Sequence, residues 1–135
     1  MKKFKCILLV DDDYTSNFLS QMIIESSNVA DHIHVRKNGQ EALQFVRDHC
    51  PSGEESVAPT CPDLILLDIN MPVMDGFGFL EEFTKMQRVR KYPIQIVMLT
   101  SSDNYKDLQK AQAYNVAGYL NKPLTEEKIL AVAGN

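Results

Sequence analysis

The chain has 135 residues, of which 44% are apolar and 24% charged, and a formal net charge of −4. That length holds one domain with a real core and is too short for two ordinary ones. No apolar run approaches the roughly 20 residues that cross a bilayer, Met1–Cys6 does not read as a secretory signal, and the locally basic stretch Lys85–Lys91 reads as a solvated helix end rather than a nucleic-acid contact. A cytoplasmic protein with no membrane or nucleic-acid partner is the expectation.

Lys5–Val10 predicts a first strand, apolar after Lys5 and closed by Asp11, Asp12 and Asp13. Tyr14–Ser26 has helical spacing, with Phe18, Leu19, Met22 and Ile23 expected on the inward face and Asn28 as its stop. Asp13 is read as the cap of that helix. His32–Val35 predicts a short second strand. Asn38-Gly39 makes a turn that can cap a second helix over Gln40–Asp48, with Ala42, Leu43 and Val46 inward.

Cys50–Pro62 breaks the rhythm with three prolines, a glycine and two adjacent glutamates, and is read as an exposed loop. Leu64–Leu67 predicts a third strand, Phe77–Gln87 a helix with Phe79, Leu80 and Phe83 inward, and Ile94–Leu99 a fourth strand ending at Thr100. Asp103 is expected to cap a helix over Tyr105–Tyr114, with Leu108 and Ala111 inward. Gly118–Leu120 predicts a fifth strand running to Lys122-Pro123. Thr125 caps a last helix, with Glu126 and Glu127 suited to its positive end. Cys6 lies in an apolar run and is expected as a buried thiol. Cys50 and Cys61 fit no zinc spacing and are expected as free thiols in a reducing compartment. His32, His34 and His49 show no metal-ligand spacing.

Strands alternating with helices imply an α/β fold with a parallel sheet, right-handed crossovers and helices on both faces. Ile7–Val10 and Leu64–Leu67 have the unbroken apolar runs of strands buried on both sides. In a parallel sheet all carboxyl strand ends share one edge, the edge where open α/β sheets bind ligands. Asp11, Asp12, Asp68, Thr100 and Lys122 therefore converge. Close carboxylates repel, and a hard dication with oxygen ligands relieves the conflict; few carboxylates and several waters suit Mg2+. A lysine and a hydroxyl beside such a metal suit a phosphoryl group. Asp68 stands alone at a central strand and is the candidate nucleophile toward phosphorus, with Asp11 and Asp12 as metal holders.

The chain resembles the receiver domain of two-component response regulators from Phe4 to about Leu130. The resemblance rests on Val10–Asp12, Asn38–Leu43, Asp68–Gly76, Thr100–Ser101, Gly118–Tyr119 and Lys122–Pro123, in the right order and near-normal spacing. It implies a three-layer flavodoxin-like fold with a five-stranded sheet in the order 2-1-3-4-5. It also implies a single receiver domain over residues 1–135, with no effector domain. On this resemblance Asp68 accepts a phosphoryl group from phosphohistidine on a histidine kinase or histidine phosphotransfer protein. Mg2+ is held by Asp11, Asp12, Asp68 and the backbone carbonyl of Asn70. Thr100 and Lys122 bind the phosphoryl oxygens, and the Lys122–Pro123 bond is cis. Tyr119 moves with Thr100 on activation, from a more exposed to a more buried position. The side chains of Asn70 and Ser102 tune the lifetime of the phosphoryl group. The signal leaves through a downstream protein at the face made by the fourth helix, fifth strand and fifth helix.

A different class remains open at this point: a Mg2+-dependent phosphohydrolase with an aspartyl nucleophile. Enzymes of the haloacid-dehalogenase type place a general acid two positions after the nucleophile, where this chain has Asn70, which cannot transfer a proton in that role. A receiver that has lost phosphorylation is disfavoured because every reactive position is intact. No small-molecule turnover is expected.

Overall fold

The structure, a computed structural model, describes residues 3–50, 61–86 and 94–134. Residues 51–60 of the expected loop, Gln87 at the predicted end of the third helix, and most of the Lys85–Lys91 stretch lie outside the described residues. Five strands, β1 (Phe4–Val10), β2 (Ala30–Arg36), β3 (Leu64–Leu67), β4 (Gln95–Thr100) and β5 (Gly118–Asn121), alternate with five helices. These are α1 (Tyr14–Ser27), α2 (Gly39–His49), α3 (Gly76–Met86), α4 (Tyr105–Ala113) and α5 (Glu126–Gly134). All strand pairs are parallel and the order is β2-β1-β3-β4-β5, a flavodoxin-like three-layer α/β fold.

Alternate residues of the central strands face opposite layers, which is why those strands carry no polar alternation. Leu8, Val10, Ile65, Leu67 and Met98 pack with Leu43, Val46, Phe79, Phe83 and Ala111 on the face covered by α2, α3 and α4. Ile7, Leu9, Leu64, Leu66, Val97 and Leu99 pack with Ile24, Ile129 and Val132 on the face covered by α1 and α5. Val10 pairs with Leu67 and Leu67 with Met98, so β1, β3 and β4 end nearly level.

Helix ends follow local chemistry. The Asp13 carboxylate accepts the Thr15 N–H at 3.3 Å, and Asn38 Oδ1 accepts the Glu41 N–H at 2.9 Å. Asn28 closes α1 in the left-handed region at φ 55°. The cap of α4 is Asn104 rather than the expected Asp103: Asn104 Oδ1 accepts the Lys106 N–H at 2.9 Å.

The inward face of α1 differs from the expectation. Asn17, Ser20 and Ile24 are the buried positions, Ile23 is half-buried against the core, and Phe18, Leu19 and Met22 are each about half exposed. The helix is turned so that Asn17 Nδ2 donates to the Asp11 carbonyl at 2.7 Å. Its amino-terminal turns lie beside the acidic edge, where a polar residue rather than an apolar one has a partner.

The cysteine expectation is also corrected in part. Cys6 is buried and free, and burial, helped by the nearby Asp63 carboxylate, pushes its thiol up to about 11. Cys50 and Cys61, however, form a disulfide (S–S 2.10 Å) with Cα atoms 4.9 Å apart. The expectation of free thiols rested on spacing and compartment, neither of which contains the crossover that returns Cys61 to the end of α2.

Candidate functional site

The carboxyl ends of β1, β3 and β4 deliver Asp11, Asp68 and Thr100, all buried, while Asp12 stays exposed. The turn after β5 delivers Lys122, whose peptide bond to Pro123 is cis. Lys122 Nζ lies 2.9 Å from Asp68 Oδ2 and makes a second ion pair with Asp11 Oδ2. Ligand oxygens of Asp11, Asp12 and Asp68 lie within 4.8 Å of one another, forming a group of metal-ligand type among the described residues. The sequence-predicted constellation is thus brought together from four strand ends.

The backbone fixes both buried carboxylates. Asp68 N–H donates to the Val10 carbonyl at 3.0 Å, and Asp11 N–H donates to the Arg36 carbonyl at 3.1 Å. Asp68 Oδ1 accepts the Ile69 N–H at 2.7 Å, and Asp11 Oδ1 accepts the Asp13 N–H at 3.0 Å. Burial raises the Asp68 carboxyl above its usual range and the Asp11 charge adds to this; hydrogen bonds from Lys122 and Thr100 offset only part of it. At Lys122 burial works against the charge, but hydrogen bonds to Asp11 and Asp68 outweigh it and hold the ammonium above its usual range. The site holds more negative charge than one lysine neutralises. Its donor set is entirely oxygen, which fits a hard dication; bound there, such an ion supplies positive charge opposite a developing phosphoryl charge.

The β3–α3 loop is held close. Gly76 N–H donates to the Ile69 carbonyl at 2.8 Å, and a Cβ at Gly76 would lie 2.2 Å from the Asp68 carbonyl oxygen. On the other side, Gly39 N–H donates to the Met74 carbonyl at 2.8 Å. Val73 sits at φ 69° although it is β-branched, and it is 78% exposed. Asn70 lies exposed two residues after Asp68. Val73→Gly is expected to stabilise the fold by about 0.5–1 kcal/mol, because relief of about 1–2 kcal/mol of left-handed strain exceeds the unfolded-state entropy that glycine adds. A urea titration at unchanged slope checks this.

The switch residues occupy a connected network. Ser102 N–H donates to Thr100 Oγ1 at 3.2 Å. The Ser102 hydroxyl donates to Asp107 Oδ2 at 2.7 Å, into the first turn of α4. Tyr119 is half-buried against the α2–α4 layer, and its hydroxyl donates to the Ser102 carbonyl at 3.1 Å. Asn121 Nδ2 donates to the same carbonyl at 3.3 Å. Sequence reasoning missed Asn17 and Asn121; neither carries charge into the site, and each acts through a backbone carbonyl whose position only the fold supplies.

Residues 7–133 match the family described as "Response regulator receiver domain". The chain belongs to that family. The receiver is 32% identical over 118 residues to response regulator Rcp1 of Synechocystis, covering 87% of this chain and 76% of that protein. Among solved structures it is similar to a two-component response regulator from Cytophaga hutchinsonii, with a TM-score of 0.77 and 28% identity over 96% of this chain and 93% of that one. It is also similar to the Mn(2+)-bound form of Rcp1, with a TM-score of 0.70 and 29% identity over 96% of this chain and 89% of that one. Receiver domains are phosphoacceptor switches of two-component systems that take their phosphoryl group from histidine kinases, and this receiver is a switch of that kind. No helix among the described residues is long and apolar enough to cross a membrane.

Proposed function

We propose that Asp68 is the phosphoacceptor of this receiver, with Mg2+ held by Asp11, Asp12, Asp68 and the backbone carbonyl of Asn70. The observation that carries the reading is the position of Asp68: it is a buried carboxylate that hydrogen-bonds to both Lys122 and Thr100. An Asp68 oxygen attacks phosphorus, the P–N bond to the donor imidazole breaks, and the imidazole nitrogen leaves with the electron pair. Lys122 and the Thr100 hydroxyl are placed to hydrogen-bond the spreading charge on the phosphoryl oxygens. Asn70 and Ser102 flank the path of hydrolytic water and set the lifetime of the acyl phosphate. The Ser102 hydroxyl reaches that path after leaving Asp107.

The turned α1 supports a docking place for the donor. Tyr14 is three-quarters exposed and stacks on Phe18 with ring centroids 6.3 Å apart, immediately after Asp11–Asp13. An apolar face beside the phosphoacceptor suits a histidine kinase or histidine phosphotransfer protein. On the output side, Thr100 and Tyr119 tie the site through Ser102 to α4 and β5. Phosphate on Asp68 biases this network between arrangements by its contacts with Thr100, and a downstream protein reads the result at that face. The half-buried Tyr119 ring, held by its hydroxyl on the Ser102 carbonyl, is expected to move with Thr100 to a more buried position.

Acetyl phosphate with Mg2+ should add one base-labile phosphate per chain, and chelation of the metal should prevent it. Asp12→Ala is expected to weaken Mg2+ binding by about tenfold or more and to slow uptake accordingly, with little effect on folding because Asp12 is exposed. Continuous turnover of p-nitrophenyl phosphate would instead point to a phosphohydrolase, and unchanged Mg2+ affinity in Asp12→Ala would remove that residue from the metal site.

A further inference from the structure

Lys128 sits in the first turn of α5, where the helix dipole disfavours a cation. Its position makes sense through its contacts. Lys128 Nζ donates to the Asn121 carbonyl at 2.7 Å and to the Pro123 carbonyl at 3.1 Å. Those carbonyls belong to the residues on either side of Lys122. A lysine ammonium has three donors and no acceptor, so it can gather carbonyls that a neutral side chain would leave to water. The backbone of Lys128 is anchored too, since its N–H donates to Thr125 Oγ1 at 3.2 Å.

The same loop is tied from the other side. Lys122 N–H donates to the Thr100 carbonyl at 2.9 Å, and Asn121 Nδ2 reaches the Ser102 carbonyl. The amino side of the Lys122 segment is therefore held both by β4 with its following loop and by Lys128, and its carboxyl side by Lys128 of α5. The long Lys122 side chain points from this segment to Asp68 and Asp11. Freeing one end of the segment lets its ammonium wander and lowers the fraction of time it spends where phosphoryl oxygens arrive.

We propose that Lys128 is a positioning residue for Lys122: by gathering the Asn121 and Pro123 carbonyls it holds the phosphoryl-binding lysine over Asp68. The proposal rests on the assignment of Asp68 and Lys122 above. It assigns Lys128 no contact with the phosphoryl group.

The test compares Lys128→Met, which keeps the stem and loses the donors, with Lys128→Arg, which restores a charged multiple donor. The readouts are Mg2+-dependent uptake from acetyl phosphate, affinity for beryllofluoride, Mg2+ affinity, and trace acetylation of Lys122 by acetic anhydride without any phosphodonor. Lys128→Met should slow uptake and weaken beryllofluoride binding by about three- to tenfold, the range expected for losing partly exposed charged hydrogen bonds. Its Mg2+ affinity and thermal midpoint should stay near the parent's, and Lys122 should acetylate faster. Lys128→Arg should recover most of each change. Parent-like uptake and Lys122 acetylation in Lys128→Met would overturn the proposal, as would a loss that Lys128→Arg fails to reduce or that merely follows lost stability. If the parent takes up no phosphate, the Asp68 assignment fails instead, and the acetylation readout still decides whether Lys128 positions Lys122.

Discussion

Asp68→Asn is expected to lower phosphoryl uptake from acetyl phosphate by a factor on the order of 10³ or more while leaving the fold intact. An amide lacks the anionic oxygen that attacks phosphorus, and neighbouring carboxylates cannot replace it. Asp11 is engaged by Lys122 and by the Asp13 N–H, and Asp12 is exposed. Stability should not fall with activity. Asp68 is buried, and burial together with the Asp11 charge opposes its ionised form, so removing the charge relieves one repulsion. Lys122 retains Asp11 as its partner. Denaturant unfolding should therefore place Asp68→Asn at or slightly above the parent, and a large loss of stability in this variant would show that the acidic edge is a structural feature.

Gly76→Ala should do the opposite, damaging the fold and the site together. The added Cβ would stand 2.2 Å from the Asp68 carbonyl oxygen, 3.0 Å from Ile69 Cα and 3.1 Å from the Asp68 carbonyl carbon. All three are backbone atoms, so no rotamer change relieves the overlap. Shifting the loop also strains the Gly76 N–H bond to the Ile69 carbonyl. A loss of about 2–4 kcal/mol in unfolding free energy is expected, in the range of severe overpacking, with slower phosphorylation of the fraction that folds. Gly118→Ala is the control. Its Cβ would meet only Val97 methyls at 3.6 and 3.7 Å, ordinary contact distances, so its effect should stay within about 1 kcal/mol.

The legible parts of this molecule are those that a parallel sheet makes inevitable. Unbroken apolar runs at Ile7–Val10 and Leu64–Leu67 require covered strands, and covered parallel strands bring Asp11, Asp68, Thr100 and Lys122 to one edge. That edge is where the structure places them. The strand order itself came from the resemblance, because periodicity does not order strands. The face of α1 differs because Phe18, Leu19 and Met22 form an apolar stripe of their own, while the buried stripe includes Asn17 and Ser20 and Ile23 packs at its margin. Apolar spacing identifies a face to cover without saying whether the chain itself covers it. The Cys50–Cys61 bond depends on a crossover that brings the end of α2 beside the start of β3, and cysteine spacing contains no such information. The role of Lys128 and the partner of Tyr119 are illegible for a related reason: the groups they bind are the Ser102, Asn121 and Pro123 carbonyls, and every residue has a carbonyl.

The most direct test of the central claim is to locate the acyl phosphate chemically. The receiver is treated with acetyl phosphate and Mg2+, reduced with borohydride, which converts an aspartyl phosphate to homoserine, and mapped by peptide mass spectrometry. The expected result is homoserine at position 68, dependent on Mg2+ and absent at Asp11, Asp12 and Asp13. Homoserine at one of those aspartates with Asp68 unmodified would contradict the account.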